Sequence, residues 1–327
     1  MRNKRILITG GSGSWGQELT RQILSKDPEQ IVIFSRNEAM QVAMKIKFND
    51  SRIKFVIGDI REPKAIMEAC EGINYVINCS ALKHIDVCEK QPREAVKTNI
   101  YGVQNVIDAC IANCVEVCIH ISSDKACNPN LIYGQTKAIS ERLIIEANNQ
   151  TLNTDFFCVR SGNILGSAGS VITIWIKQIA EQNCIYLTNP LMTRFFITVQ
   201  DAVSLTLKAM NKSDRGEVFV FRMPSFYVQS LSELIVDYYG DSKTKIKKLD
   251  PRPGESVNEL LVTEDEAERT LVSKDYFIVY PLIDVKTANY PKITNVTRLK
   301  HEYSSGDVAV YDKDELLKLV QKAGYCL

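Results

Sequence analysis

The sequence predicts an α/β protein built on a doubly wound parallel sheet, followed by a smaller α/β unit. Three observations predict it. Short apolar runs alternate with helical patterns through the first half; each run is apolar on both faces; and glycines spaced three apart join the first run to the first helix. Together they describe a Rossmann-like fold.

The elements follow in order. RILITG (5–10) reads as a strand and 15–26 as a helix, then IVIFSR (31–36) and a helix near 38–48. KFVIGDI (54–60), a helix near 63–71 and YVINCSA (75–81) continue the alternation. A long helix over 92–114 leads to VEVCIHISS (115–123), a helix from Gly134 to about 149 follows, and DFFCVRSGNIL (155–165) reads as one strand. Beyond 166 the pattern loosens, with helices near 171–182, 199–212 and 231–240 and strands at IYLT (185–188), GEVFVFR (216–222) and YFIVYPL (276–282). EDEAERT reads as an acidic solvated stretch, and 284–306 as extended coil. At one domain per ~150 residues, 327 residues suggest two. Residues 1–165 form the nucleotide-binding domain, which also receives segments from about 194–220, and 166–327 mainly form the substrate domain.

Forty basic and 39 acidic residues leave no electrostatic footprint for nucleic acid. An anionic ligand must therefore be held by a local site. Ten cysteines without a C-x-x-C, beside only three histidines, read as reduced thiols and no metal site. The opening MRNKRILITGG enters a strand directly, unlike a secretory leader, and no run approaches the ~20 apolar residues of a membrane span. A soluble, cytoplasmic protein is expected.

Gly10, Gly13 and Gly16 sit where a βαβ unit lays a dinucleotide's pyrophosphate on a helix N-terminus. At the end of the second strand an acid usually selects NAD. Here Ser35 and Arg36, a hydroxyl and a guanidinium, suit a 2′-phosphate, so NADP is favoured over NAD. Asp59 and Ile60 end the third strand near the expected adenine.

Tyr133 and Lys137 are one helical turn apart and both can face one cleft. A nearby ammonium and an oxidised nicotinamide would favour the phenolate, fitting a base that removes a hydroxyl proton during oxidation. Asp124 and Lys125 end the fifth strand. By residue type alone they read equally as an exposed ion pair or as a second acid and base.

The chain resembles the extended short-chain dehydrogenase/reductases, specifically the inverting, 5-epimerising UDP-N-acetylglucosamine 4,6-dehydratases of the polysaccharide-biosynthesis type. LITGGSGSWG, IFSRNE, IGDIRE, ALKH, EAVKTNIYG, SSDKACNPNLIYGQTKA, GNILGSAGSV, MTRFFIT, RPGE and YSS carry the resemblance nearly end to end. It implies that Tyr133 deprotonates the sugar 4-OH, with Lys137 and Ser123 beside it. Lys125 then removes the C5 proton and Asp124 protonates the departing 6-hydroxyl. NADP stays bound and is recycled, and C5 is reprotonated on the opposite face. UDP-N-acetylglucosamine would become UDP-2-acetamido-2,6-dideoxy-β-L-arabino-hexos-4-ulose, a first step towards a deoxy amino sugar for glycans.

The resemblance also implies cofactor contacts at Gly10, Ser12, Gly13, Ser14, Trp15, Gly16, Ser35, Arg36, Asn37, Glu38, Ala39, Met40, Asp59 and Ile60. It adds Cys79, Ser80, Ala81, Lys83, Asn99, Tyr133, Lys137, Ile164, Leu165, Gly166, Ser167 and Ala168. Substrate contacts fall on Lys83, His84, Asn163, Val171, Thr188, Arg194, Arg252 and Glu255, with Arg194 and Arg252 as partners for the diphosphate or uridine ribose. A homo-oligomer, dimer to hexamer, is implied, without membrane, metal or nucleic acid. Three positions depart from the family: Ser123 stands for Thr, Ala168 for Arg, and Ser161 for an aromatic residue. The alternatives are a C5-retaining 4,6-dehydratase, another nucleotide-sugar epimerase or reductase, and a non-catalytic NADP-binding regulator.

Overall fold

The computed structural model describes residues 1–167, 169–250, 254–288, 290, 297–308 and 312–326. Strand β1 (Arg5–Thr9) leads into α1 (Ser14–Leu24), β2 (Gln30–Ser35), α2 (Glu38–Phe48), β3 (Ile53–Ile57), α3 (Pro63–Ala69) and β4 (Tyr75–Asn78). Then come α4 (Ile85–Lys90), α5 (Pro92–Val96), a π-helical turn (Lys97–Tyr101), α6 (Gly102–Ala112), β5 (Val117–Ile121), a 3-10 turn (Asp124–Ala126), α7 (Ile132–Ala147) and β6 (Asp155–Arg160). The second half runs β7 (Asn163–Leu165), α8 (Val171–Gln182), β8 (Cys184–Leu187), β9 (Thr193–Thr198), α9 (Val199–Ala209), β10 (Val218–Phe221), β11 (Ser225–Tyr227) and α10 (Val228–Tyr239). It continues with β12 (Lys245–Lys248), β13 (Leu260–Val262), α11 (Glu264–Ala267), β14 (Thr270–Val272), β15 (Tyr276–Val279), β16 (Tyr303–Ser304) and α12 (Lys313–Lys322).

Among the described residues, nine strands form one sheet in the order β14-β15-β10-β6-β5-β4-β1-β2-β3. Pairing is parallel from β3 across to β10, and only β15 and β14 join antiparallel. Ile6, Leu7, Ile8, Val76, Ile77, Cys118, Ile119, Phe156 and Phe157 are wholly buried, as strands covered on both faces require. Chain order reverses between β1 and β4, which opens a crevice beyond their carboxyl ends. A second core gathers Ile172, Trp175, Ile185, Phe196, Leu231 and Leu234 with Leu316 and Val320 of α12.

Besides strands that the sequence did not show, among them β9 and β16 (the latter within the stretch read as extended coil), the structure departs from the sequence reading at three places. Residues 155–165 are two strands in different sheets, because the chain breaks at Ser161-Gly162 and β7 pairs with β9 instead. A Cβ on Gly162 would stand 2.7 Å from that of Phe195, so the turn packs too closely for a side chain. The helix expected over 92–114 is interrupted by the π-helical turn, which starts at Lys97. EDEAERT is not solvated throughout: Thr263 and Glu266 form a capping box on α11, and the Glu266 carboxylate is buried against Arg160.

Arg160 is 2% exposed and forks both ways, to Glu141 of α7 at 2.7 Å and to Glu266 at 2.7 and 2.9 Å. Burial works to raise the Glu266 pKa, but the guanidinium prevails and holds it at about 2. The network ties α7, which carries Tyr133 and Lys137, to the segment around residue 266.

Candidate functional site

Beyond β5 the chain makes a 3-10 turn over Asp124–Ala126, N-capped by the Ser123 hydroxyl, which accepts from the Lys125 N–H at 3.3 Å. Side chains on such a turn rotate by about 120° per residue rather than alternating as on a strand, so Asp124 and Lys125 reach the same cavity wall. Ser123 Oγ donates to Asp124 Oδ1 at 2.7 Å, and Lys125 Nζ donates to Asp124 Oδ2 at 2.6 Å. Lys125 also meets Glu259 Oε1 at 2.9 Å, and that oxygen meets Arg194 Nε at 3.1 Å. The result is an alternating row of carboxylate, ammonium, carboxylate and guanidinium. Burial opposes the Lys125 charge, yet Asp124 and Glu259 outweigh it and its pKa is raised. Burial likewise pushes the Glu259 carboxyl up, against the pull of Lys125.

Helix α7 begins against this turn. A Cβ on Gly134 would fall 2.2 Å from the Lys125 carbonyl, so the helix start approaches the turn only with glycine there. That approach puts Tyr133 on the same cavity wall as Asp124 and Lys125. Burial pushes its phenol up to about 12, while the Ser123 hydroxyl acts to lower it. Lys137, one turn on, is 2% exposed and points away from that wall. Its Nζ meets the Ile121 carbonyl at 2.6 Å and His120 Nε2 at 2.9 Å. Burial brings its pKa down to about 8.

The cavity has a volume of about 260 Å³, and Gly254, Glu255, Ser256, Asn258, Glu259 and Leu260 of the later segment line it. Asn163, Arg194 and Glu255 line it with Asp124, Lys125 and Tyr133. Arg194 is already engaged: besides Glu259, it donates to the carbonyls of Thr193, Ser256 and Val257 at 2.7, 2.9 and 3.0 Å. Its guanidinium fixes the segment carrying Glu259. A neighbouring cavity of about 230 Å³ shares Asn163 and is lined by Lys83, His84, Ile164, Leu165, Ser167 and Val171. Thr188 lies on neither wall, and its hydroxyl rests on Met192 Sδ. Arg252 and Ala168 fall outside the described residues.

The glycine turn fits a dinucleotide. Gly10 has φ +64°, and a Cβ there would press on the Cys79 carbonyl and Ser80 nitrogen at 3.0 Å. A Cβ on Gly16 would come within 2.3 Å of the Gly11 oxygen. Gly13 supplies no side-chain cap to α1, the first turn holds no acid, and the buried Trp15 Nε1 has no partner among the described residues. This leaves helix N–H groups for an anion beside Ser12 and Ser14. At the end of β2, Ser35 Oγ accepts from Gln41, and Asn37 caps α2 through the Met40 N–H, with Glu38 and Ala39 in the first turn. Arg36 is largely exposed and lies 3.6 Å from Asp59, which Arg61 grips at 2.6 Å; Ile60 is buried beside it. On the other flank, Asn99 in the π-helical turn holds Leu82 N and O at 2.7 and 2.9 Å, bracing the loop of Ala81 and Lys83. Gly166 follows β7 with φ +76°.

Sequence reasoning missed Glu259 and His120. Glu259 lies far from Lys125 in the chain and only the fold joins them. His120 is hidden in an apolar strand, VCIHI, whose pattern carries no signal of chemistry.

Residues 6–281 match the sequence profile of the family described as polysaccharide biosynthesis protein. The chain is 38% identical over 284 residues to the UDP-N-acetylglucosamine 4,6-dehydratase (inverting) of Campylobacter jejuni, covering 86% of this chain and 84% of that one. It is 35% identical to the UDP-glucose 4-epimerase of Rickettsia rickettsii, covering 99% and 97%. Among solved structures, Pen from Bacillus thuringiensis superposes with a TM-score of 0.92 at 36% identity, over 99% and 98% of the two chains. DesIV, the dTDP-glucose 4,6-dehydratase of Streptomyces venezuelae solved with NAD and TYD bound, shares the fold at a TM-score of 0.70 and 20% identity, over 77% of this chain and 86% of that one. With the family profile matched over most of its length, the chain belongs to the polysaccharide biosynthesis protein family.

Proposed function

We propose that this protein is a UDP-N-acetylglucosamine 4,6-dehydratase that inverts C5. The observation that carries the reading is the presence of Asp124, Lys125 and Tyr133 on one cavity wall, with a second acid, Glu259, beside the lysine. The name and identity of the Campylobacter relative support it. Residues 1–165, with the strand and helix contributed from 194–220, are taken as the nucleotide-binding domain, and 166–327 mainly as the sugar-nucleotide domain.

A bound nicotinamide dinucleotide would supply reversible oxidation at C4. Gly10 through Gly16 would hold its pyrophosphate, and Ser35 with Arg36 its 2′-phosphate, which favours NADP over NAD. Tyr133 takes the 4-OH proton as C4 is oxidised. A proton passing from the Lys125 ammonium to the Asp124 carboxylate across their 2.6 Å contact leaves the amine that removes the C5–H, which the 4-ketone has made acidic. Asp124 delivers a proton to the 6-oxygen, so the C6–O bond breaks and water leaves. Elimination thus needs an acid and a base beyond the redox tyrosine, and the 3-10 turn provides both at 2.6 Å. Loss of water leaves a C5–C6 alkene. The hydride taken from C4, which the bound dinucleotide would hold, is what C6 needs back. Reprotonation of C5 on the opposite face then completes the inverted 4-keto product. Lys83, His84, Asn163, Val171 and Glu255 would contact the sugar nucleotide. Arg194 contributes by fixing Glu259. A homo-oligomer belongs to this reading and is checked by sedimentation.

The test is incubation with UDP-N-acetylglucosamine in heavy water, without added reductant. A 4-keto product that has lost one water and carries deuterium at C5 in the inverted configuration is the expected result. The Rickettsia relative favours a second reading, 4-epimerisation of a UDP-sugar. That reaction would lose no water and leave the C5 hydrogen in place.

A further inference from the structure

Three polar residues stand in one row across the carboxyl edge of the sheet: Thr9 of β1 opposite Asn78 of β4, and Asn78 opposite His120 of β5. Each is 0% exposed. Groups this deep must satisfy one another, so the donors and acceptors can be counted through.

Asn78 Oδ1 accepts from the Thr9 hydroxyl at 2.5 Å and from the Ser80 N–H at 3.3 Å. Two donors fix that atom as the oxygen, which leaves Nδ2 to donate to His120 Nδ1 at 3.1 Å. Nδ1 is therefore an acceptor. A neutral imidazole then carries its hydrogen on Nε2. Nε2 faces Ser140 Oγ at 3.1 Å and Lys137 Nζ at 2.9 Å. Ser140 spends its own hydrogen on the Lys137 carbonyl at 2.8 Å, so its oxygen is free to accept. An Nε2–H cannot accept a bond from an ammonium, but it fits the lone pair of an amine.

Among the described residues, the surroundings of Lys137 offer no free anion. Glu141 is held in the fork of Arg160, and burial keeps the Cys79 and Cys158 thiols and the Tyr133 phenol neutral by raising their pKa values. His120 itself stays neutral, pushed far down by burial and then by Lys137.

We infer that His120 is a positioning residue whose Nε2–H opposes the charged form of Lys137, so that binding of a dinucleotide is coupled to uptake of a proton at Lys137 Nζ. The inference rests on the dinucleotide reading of the glycine turn. Phosphate charge and ribose hydroxyls arriving at the crevice favour the ammonium, because an oxidised dinucleotide stays net negative despite its nicotinamide cation, and the proton comes from solvent. Because burial brings the free Lys137 down to about 8, uptake is small well below that pH and grows above it.

The experiment is calorimetric titration of NADP+ and NAD+ into the cofactor-free chain, in buffers of different ionisation enthalpy. Uptake should approach about one proton near pH 9 and fall to under about a fifth of that near pH 6.5. In H120A, binding should persist while uptake near pH 9 falls at least about threefold, since the opposing donor is gone. Nitrogen NMR of the cofactor-free protein should show the Nε2–H tautomer, a readout that does not depend on any variant folding. Binding with no uptake in the parent, unchanged uptake in H120A, or an Nδ1–H tautomer would each overturn the inference alone. Absence of dinucleotide binding would overturn the cofactor reading and this inference with it.

Discussion

Replacing Lys125 with methionine keeps the bulk of the side chain and removes the cation between two buried acids. Asp124 and Glu259 both lie within 3 Å of the lysine nitrogen, at 2.6 and 2.9 Å, and their side chains are 6% and 10% exposed. Two carboxylates about 5 Å apart repel by about 3 kcal/mol at an effective dielectric near 20. Lys125→Met should therefore lose about 3 kcal/mol at pH 8, measured by urea denaturation. The sign with pH follows from the charge. Repulsion raises the folded-state pKa of one acid above its unfolded value, so the deficit is full above the raised value, shrinks as pH falls through it, and is gone below the unfolded one. In the same variant, UDP-N-acetylglucosamine should still reduce bound cofactor, while C5 hydrogen exchange falls by ~10²–10⁴, the range of a lost general base. A variant as stable as the parent at pH 8 would refute the electrostatic account. Normal C5 exchange would remove Lys125 from its role.

Three further outcomes are expected. Tyr133→Phe should slow cofactor reduction in a single turnover by ~10²-fold or more, and the parent rate should climb with pH because burial holds the phenol near about 12 before ligands bind; an unchanged rate would count against Tyr133 as the base. Arg160→Met strands Glu141 and Glu266 without their cation and should cost about 3–5 kcal/mol by urea denaturation; a loss below about 1 kcal/mol would show the fork to be dispensable. Arg36→Asp should weaken NADP+ binding at least about tenfold while sparing NAD+, by direct titration; equal effects on both would place the 2′-phosphate elsewhere.

The sheet was legible because its signals are local. Each strand of the first half is apolar on both faces, and the glycine turn follows β1 with nothing between. Tyr133 and Lys137 were legible as a pair on one helix, but not the direction of Lys137, whose nitrogen follows His120 and the Ile121 carbonyl into the sheet. Asp124 and Lys125 were legible as the end of the fifth strand, but not the 3-10 turn that brings both to one cavity wall. Glu259 was beyond reach for another reason: it is separated from Lys125 by most of the second half, and the contact depends on Arg194 pulling residues 256–259 into place. EDEAERT misled because one acid in a charged run, Glu266, has its partner in β6, and composition cannot show which member of a run turns inward.

The fork of Arg160 has a practical consequence for anyone exchanging parts between relatives to alter sugar preference. The helix bearing Tyr133 is bolted through Glu141 to a strand residue, and from there to Glu266 in the later segment that also walls the acid–base cavity. A transplant of that segment lacking a carboxylate at 266 would loosen the tyrosine's own helix before any residue lining the cavity had changed.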